Sequence, residues 1–281
     1  MEWIERLNKT IDYIEANLSG KIDYEELGRI ACCSSYHYQR MFGYMAGIPL
    51  SEYIRRRRMS RAAADLQSGT EKIIDVAAKY CYESPTAFNR AFQSVHGFAP
   101  SQAKAKGQTI KSFPPISFQM TIKGAATMEY RIEKKDAFRV IGISIPLESE
   151  VEKNFEKVPM LWAKAAQEGL IESLAGKMNA EPMGLLGVSA CNGAAEDWRY
   201  YIAVSSTCEA EGLEEYLVPA FTWAIFPGEG ENVTIQTLEQ RVLEWLPSSG
   251  YEYANGPDVE VYLNPDPKNA KYEVWIPVIK K

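Results

Sequence analysis

The sequence predicts two domains, an all-α N-terminal half with two helix-turn-helix motifs and an α+β C-terminal half with two βαββ units. Three observations lead there. Apolar residues recur at helical spacing through roughly the first hundred positions. One short helical pattern occurs twice, as "SSYHYQRMF" from Ser34 to Phe42 and "SPTAFNRAF" from Ser84 to Phe92. Beyond "KGQTIKSFPPISFQM" the pattern changes to strand-like runs interrupted by two helices.

Bulk composition narrows the class. A chain of 281 residues, 46% hydrophobic and 24% charged, is ordinary for a soluble protein of about two domains. No apolar run reaches the roughly 20 residues of a membrane span, and the acidic start "MEWIERLNKT" is unlike a signal peptide. Five cysteines without a C-x-x-C pair, and only His37 and His96 besides, argue against zinc and against a disulfide framework. The expectation is a cytoplasmic protein without metal or cofactor. Charge is uneven. Residues 1–110 hold 15 Lys/Arg and 12 Asp/Glu, net +3; the remaining 16 and 25 give −9. Only the first half suits a polyanion.

The elements follow in order. Trp3, Ile4, Leu7, Ile11, Ile14 and Leu18 make one helical stripe, ended by Gly20. "DYEELGRIACC" is a short helix with Asp23 as N-cap and Glu26 three positions on. After the Ser34 cap, Tyr38, Met41, Phe42 and Met45 share a buried face, and Tyr36, Gln39, Arg40 and Gly43 the opposite one. A long helix, "LSEYIRRRRMSRAAADLQSG", runs to Gly69. "KIIDVAAKYC" then precedes a helix capped by Ser84 with Pro85 at its first position. Phe88, Ala91, Phe92 and Val95 are its buried stripe; Thr86, Asn89, Arg90 and Gln93 face outward.

A short helix, a tight turn and a helix with hydrogen-bonding side chains in its first turns form a helix-turn-helix, here at about 24–45 and 73–96. Its second helix can lie in a DNA major groove. An Arg fork matches guanine O6 and N7, while Asn and Gln match adenine. Any amphipathic helix has a polar face, but two units with coincident apolar and polar positions are hard to ascribe to chance. A long helix between them would set two reading helices about one DNA turn, ~34 Å, apart. The run Arg55–Arg58 points in four directions on a helix, so at most one or two can face DNA, the rest being solvated or paired with acids such as Glu52.

Residues 1–106 resemble the AraC/XylS DNA-binding domain, through "LGRIACCSSYHYQRMF", "YIRRRRMSRAAADL" and "IIDVAAKYCYESPTAFNRAFQSVHGFAPSQ". The resemblance implies a seven-helix unit that regulates transcription. It also implies DNA contacts by Tyr36, Gln39 and Arg40 in the first motif and Thr86, Asn89 and Arg90 in the second. RNA polymerase is a further partner such a regulator could take. Cys32 and Cys81 stand at turn positions where Gly is usual, which points to strained turns. Both cysteines are expected as small buried hydrophobes rather than a redox pair.

Residues 107–118 read as a linker, being rich in Gly, Pro and polar residues. From 119 to 281 come strand-like runs from "ISFQMTIKG" to "YEVWIPV", with helices at about 152–168 and 232–246. Alternation sets Glu260 with Tyr262 opposite Val259 and Val261, and Glu273 with Trp275 opposite Tyr272, Val274 and Ile276. Solvent-side acids and ordinary core aromatics are the plain reading of these residues. This half resembles the GyrI-like effector-binding domain, through "MEYRIEKKDAFRVIGIS", "VPAFTWAIFPGEG" and "GPDVEVYLNPDPKNAKYEVWIPV". That resemblance implies an effector pocket for an amphipathic or cationic aromatic molecule, with Glu260 among aromatics and Trp223, Tyr262 and Trp275 lining it. Multidrug sensing is the implied role. No catalytic residue is expected, the rival readings being hydrolysis of reactive small molecules with Glu260 activating water, and a protein-binding module.

Overall fold

Helical and strand periodicities turn into elements much where they occur in the sequence. The computed structural model describes residues 3–105, 107–119, 128–148, 151–191, 197–230 and 235–281, except 236, 237, 239, 240, 243, 244, 265, 267 and 268. The chain divides into two compact units, Met1–Ala31 with Ala46–Ile122, and Cys32–Met45 with Lys123–Lys281.

In the first unit, α1 (Trp3–Ala16), α2 (Tyr24–Ala31), α4 (Leu50–Ser68), α5 (Ile73–Lys79) and α6 (Pro85–His96) are followed by a 3₁₀ turn at Pro100–Lys104. The core lies between α4, α5 and α6, where Met59, Leu66, Val76, Phe88 and Phe92 are fully covered. Asp23 accepts from the Glu25 N–H at 2.9 Å, and Ser84 accepts from the Ala87 N–H. Gly69 and Gly97 end α4 and α6 in the left-handed conformation that glycine takes without a Cβ clash. The arginine run is wholly engaged within this unit. Arg55 and Arg56 share Glu52, Arg57 grips Glu15 at 2.5 Å, and Arg58 donates to the carbonyls of Leu18 and Gly20 just beyond α1.

Residues 108–118 are not the free linker their composition suggests. Phe118 exchanges two hydrogen bonds with Asn8, and the Ile116 N–H meets the Tyr53 hydroxyl. Ser60 accepts from the Phe113 N–H, and His96 Nδ1 accepts from the Lys111 N–H. The segment is a strap whose backbone groups are satisfied by the helices it crosses.

Cys32 and Cys81 depart from expectation too. Both are exposed rather than buried. Both keep the left-handed turn, with φ of 59° and 66°. The helix-turn-helix geometry is retained although a Cβ is unfavourable there by about 1–2 kcal/mol.

Among the described residues the second unit holds α3 (Ser35–Ala46), α7 (Asn154–Gln167), α8 (Leu170–Lys177) and nine strands. These are β1 (Arg131–Lys135), β2 (Phe138–Pro146), β3 (Leu185–Cys191), β4 (Trp198–Ser205), β5 (Glu214–Val218), β6 (Phe221–Gly230), β7 (Tyr251–Tyr253), β8 (Asp258–Asn264) and β9 (Ala270–Lys280). The strand expected at "ISFQMTIKG" is irregular at 116–119, and its remainder lies outside the described residues. Much of the helix expected at 232–246 also lies outside them, though Ile235, Leu238, Arg241, Val242 and Trp245 are helical. The first expected helix, at 152–168, is α7; a further helix, α8, follows Gly169 where none was expected.

All pairing is antiparallel, in the order β1-β6-β9-β8-β3-β4-β2-β5, with β7 added beside β9. The two βαββ halves meet at β3 and β8 and exchange edge strands: β1 pairs β6, and β5 pairs β2. Only Asp136 and Ala137 separate β1 from β2, which stand near opposite ends of that order. Three peptide steps span at most ~11 Å, so the sheet must curl until its ends approach. Its inner face then packs on itself: Val140, Val188, Tyr201, Trp223, Val259 and Trp275 form one core, and Phe138 meets Trp275 edge-on at 6.4 Å. The outer face carries α7 and α8 over one half and the helical residues Ile235, Leu238, Val242 and Trp245 over the other.

Cys81→Gly should stabilise the first unit by about 0.5–1 kcal/mol, the relief of the left-handed turn less glycine's larger unfolded-state entropy. Urea denaturation of wild type and variant measures it, and an unchanged midpoint would mean that the turn carries no strain.

Candidate functional site

Two surfaces carry the chemistry. On α6, Thr86 and Arg90 are exposed and Asn89 is half-buried, while Phe88, Phe92 and Val95 hold the opposite face in the core. Gln93 donates to Asn89 at 3.4 Å. The free first turns of this helix therefore present a guanidinium, an amide and a hydroxyl together, the groups a base edge or phosphate requires.

The corresponding residues of α3 are placed otherwise. Tyr36 is 8% and Gln39 4% exposed, and the Arg40 side chain 13%. In the second unit this helix packs on the outer face of the sheet. Tyr36 stacks on Trp198 at 5.3 Å and joins the cluster under α7 and α8, while Cys33 joins the cluster of the other half. His37 stacks on Tyr253 at 4.0 Å. Asp258 meets both side chains, with His37 Nδ1 at 3.5 Å and the Arg40 guanidinium at 3.6 Å, and accepts from the Tyr253 hydroxyl at 3.0 Å. Burial alone would raise the Asp258 pKa, but the hydrogen bond and charge of His37, with Arg40 and Tyr253, outweigh it and hold the carboxyl below its ordinary value.

Glu260 lies on the same outer face, two residues along β8. One of its carboxylate oxygens accepts from the hydroxyls of Tyr200 and Tyr262, each at 3.0 Å. The Trp162 indole on α7 donates to the Tyr200 oxygen at 3.0 Å, and its ring stands edge-on to Tyr262 at 5.2 Å. Burial first, and then the Glu260 charge, push the Tyr200 hydroxyl far above the usual phenol range, so it stays a donor. Gly187 faces Glu260 across the β3–β8 ladder. A Cβ there would stand 2.2 Å from the Tyr200 hydroxyl and 2.6 Å from the Glu260 carboxylate. The missing side chain is what lets these groups meet.

Of the expected lining residues the sheet brings Tyr262 to Glu260, but not Trp223 or Trp275. Trp275 pairs with Val259 and Glu260 with Val274, so the two tryptophans point to the inner face, 5.8 Å from each other. They are core, separated from Glu260 by the sheet itself. Sequence reasoning missed Trp162, Tyr200, Tyr253 and Asp258. The alternation of "WRYYIAVSS" could have placed Tyr200 on a face, but nothing in it names β8 as a spatial neighbour.

A helix-turn-helix with an exposed polar face and a carboxylate set among aromatics together fit one class, DNA-binding proteins with an attached small-molecule domain. Residues 128–279, more than half of the chain, match the GyrI-like small molecule binding domain family, and residues 27–106 match a helix-turn-helix domain family. The chain belongs to the GyrI-like family, with an AraC-type helix-turn-helix DNA-binding domain ahead of that module. It is similar to the transcriptional activator AarP of Providencia stuartii, 35% identical over 95 residues, covering 34% of this chain and 70% of AarP. It is also similar to the transcriptional regulator YbfP of Bacillus subtilis, 30% identical over 140 residues, 43% of this chain and 48% of YbfP. A solved transcription regulation protein from Staphylococcus aureus matches at 21% identity, covering 54% of this chain and 99% of that one, with a TM-score of 0.47. No helix among the described residues is long and apolar enough to cross a membrane.

Gly187→Ala should force Tyr200 off Glu260 and destabilise the second unit by about 1–3 kcal/mol, the range for a buried polar group left without its partner. Phenolate absorbance should then show a tyrosine ionising closer to the ordinary range than in the wild type. An unchanged titration and midpoint would mean that the strand yields to make room.

Proposed function

We propose that this protein is a cytoplasmic transcription regulator that senses a lipophilic aromatic cation at Glu260. The observation that carries this reading is the Glu260 carboxylate, bonded to Tyr200 and Tyr262 beside Trp162. A negative charge among aromatic rings attracts a cation by charge and by ring faces, each ring contributing roughly 0.5–2 kcal/mol. Two phenol donors keep that charge on the oxygens and fix its position, which favours holding a ligand over activating water. DNA is read through Thr86, Asn89 and Arg90 on α6 and, when exposed, through Tyr36, Gln39 and Arg40 on α3. AarP is named an activator; on this proposal the same sign, with RNA polymerase as the partner recruited, extends to the present chain.

Glu260→Gln keeps the shape and removes the charge. Calorimetric titration should show weakened binding of tetraphenylphosphonium and little change for neutral triphenylphosphine oxide. Equal affinities in all four combinations would take Glu260 out of the ligand site, and turnover of a candidate ligand would favour the hydrolytic alternative. For the DNA arm, Arg90→Ala should weaken binding to a duplex selected from random sequence by about 1–3 kcal/mol at fixed salt, relaxing preference on one side of the site only. Near-native binding with unchanged preference would remove α6 as a reader.

A further inference from the structure

The two repeats of this chain have the same polar face and opposite surroundings. On α6 that face is open; on α3 it is closed against the sheet. Side chains selected only to meet DNA have no reason to complement a protein surface. Yet Tyr36 finds a parallel ring in Trp198, His37 one in Tyr253, and Arg40 and His37 a shared carboxylate in Asp258.

The place α3 occupies is equally telling. His37, Arg40, Met41 and Tyr44 form one wall of a cavity, and Glu260, Val274 and Ile276 of the sheet form another. Only about 30 Å³ remains between them, room for one or two waters. Small-molecule sites measure ~300–1,000 Å³. The space left between α3 and the sheet among the described residues is too small for an aromatic cation. The helix itself supplies what such a ligand would bring, a planar cation in Arg40 lying over the ring of Tyr36 at 5.8 Å.

We propose that the cleft around Glu260 has two alternative occupants, the DNA-reading helix α3 and a lipophilic cation, so that ligand entry expels α3 and frees it to read DNA. The idea rests on the reading of the Glu260 cleft as the ligand site and adds what the ligand displaces. While Tyr36, Gln39 and Arg40 are covered, only α6 can contact bases. A cation that binds only the vacated cleft stabilises the released form, and the coupling is reciprocal: DNA that captures α3 tightens the cation by the same factor.

The full chain tests this, with tetraphenylphosphonium as cation and the selected duplex as DNA. In the wild type, saturating cation should raise DNA affinity within the roughly 5–150-fold range of ordinary coupling, and saturating DNA should raise cation affinity equally. Asp258→Asn keeps an acceptor for Tyr253 but loosens His37 and Arg40. It should tighten DNA without ligand, tighten the cation, and shrink the coupling. Trp198→Leu, which removes the Tyr36 stack at a separate place, should do the same and covers the case in which Asp258→Asn fails to fold. Cation binding that leaves DNA affinity unchanged, with both variants like the wild type on DNA, overturns the competition and leaves the sensor reading standing. A cation that binds none of the three proteins overturns the ligand reading itself.

Discussion

Two residues shape the small-molecule binding domain. Asp136 and Ala137 must carry the chain from β1, paired with β6, to β2, paired with β4 and β5. Pro219 and Ala220 do the same between β5 and β6, so the constraint acts twice and symmetrically. A flat eight-strand path would set its ends some 30 Å apart at ~4.8 Å per strand, far beyond the reach of a two-residue connection. Curling is obligatory, and it gives the two faces different jobs. The inner face excludes water and is filled by tryptophans and valines. The outer face, with helical residues over each half, keeps a groove at the seam where β3 meets β8; Glu260 lines it and α3 packs over it. Charge is tolerated there because the seam is supplied with donors, from Trp162 through Tyr200.

How much of this was legible depends on which physical signal carries the information. Ser84, Pro85 and the stripe from Phe88 to Val95 report local energetics, and α6 forms as they dictate. Cys32 and Cys81 were marked by their equivalence to glycine positions, and the backbone there is left-handed. Alternation likewise separated Glu260 from Val259 correctly. It could not say which strand lies beside which, because a period of two reports faces and never partners. For that reason Trp223 and Trp275 were grouped with Glu260 although the sheet stands between them, and Tyr200 went unseen. The strap at 108–118 misled for a different reason: Gly and Pro mark irregular backbone, and irregular backbone can be pinned as firmly as a helix.

The polar face of α3 misled most instructively. A tyrosine, a glutamine and an arginine suit a DNA groove, and they suit equally well a groove lined by Trp198, Tyr253 and Asp258. Both hosts offer negative charge and flat unsaturated surfaces. One sequence face can therefore serve two partners without compromise, and no pattern within the helix reveals which of them it currently meets.

The exchanged edge strands also bear on how the protein is made. β1 leaves the ribosome some 90 residues before β6, the strand it pairs with, and β9, which joins β6 to β8, is the last described strand of all. Neither half can close its own edge during synthesis, and the sheet assembles only when its final strand arrives to bridge the gap. Such non-local pairing slows folding and leaves unpaired strand edges exposed in the meantime. The helical unit precedes most of the sheet in the chain and can fold during that interval. The nascent chain therefore passes through a stage in which the DNA-binding helices can already form while the groove that would hold α3 does not yet exist.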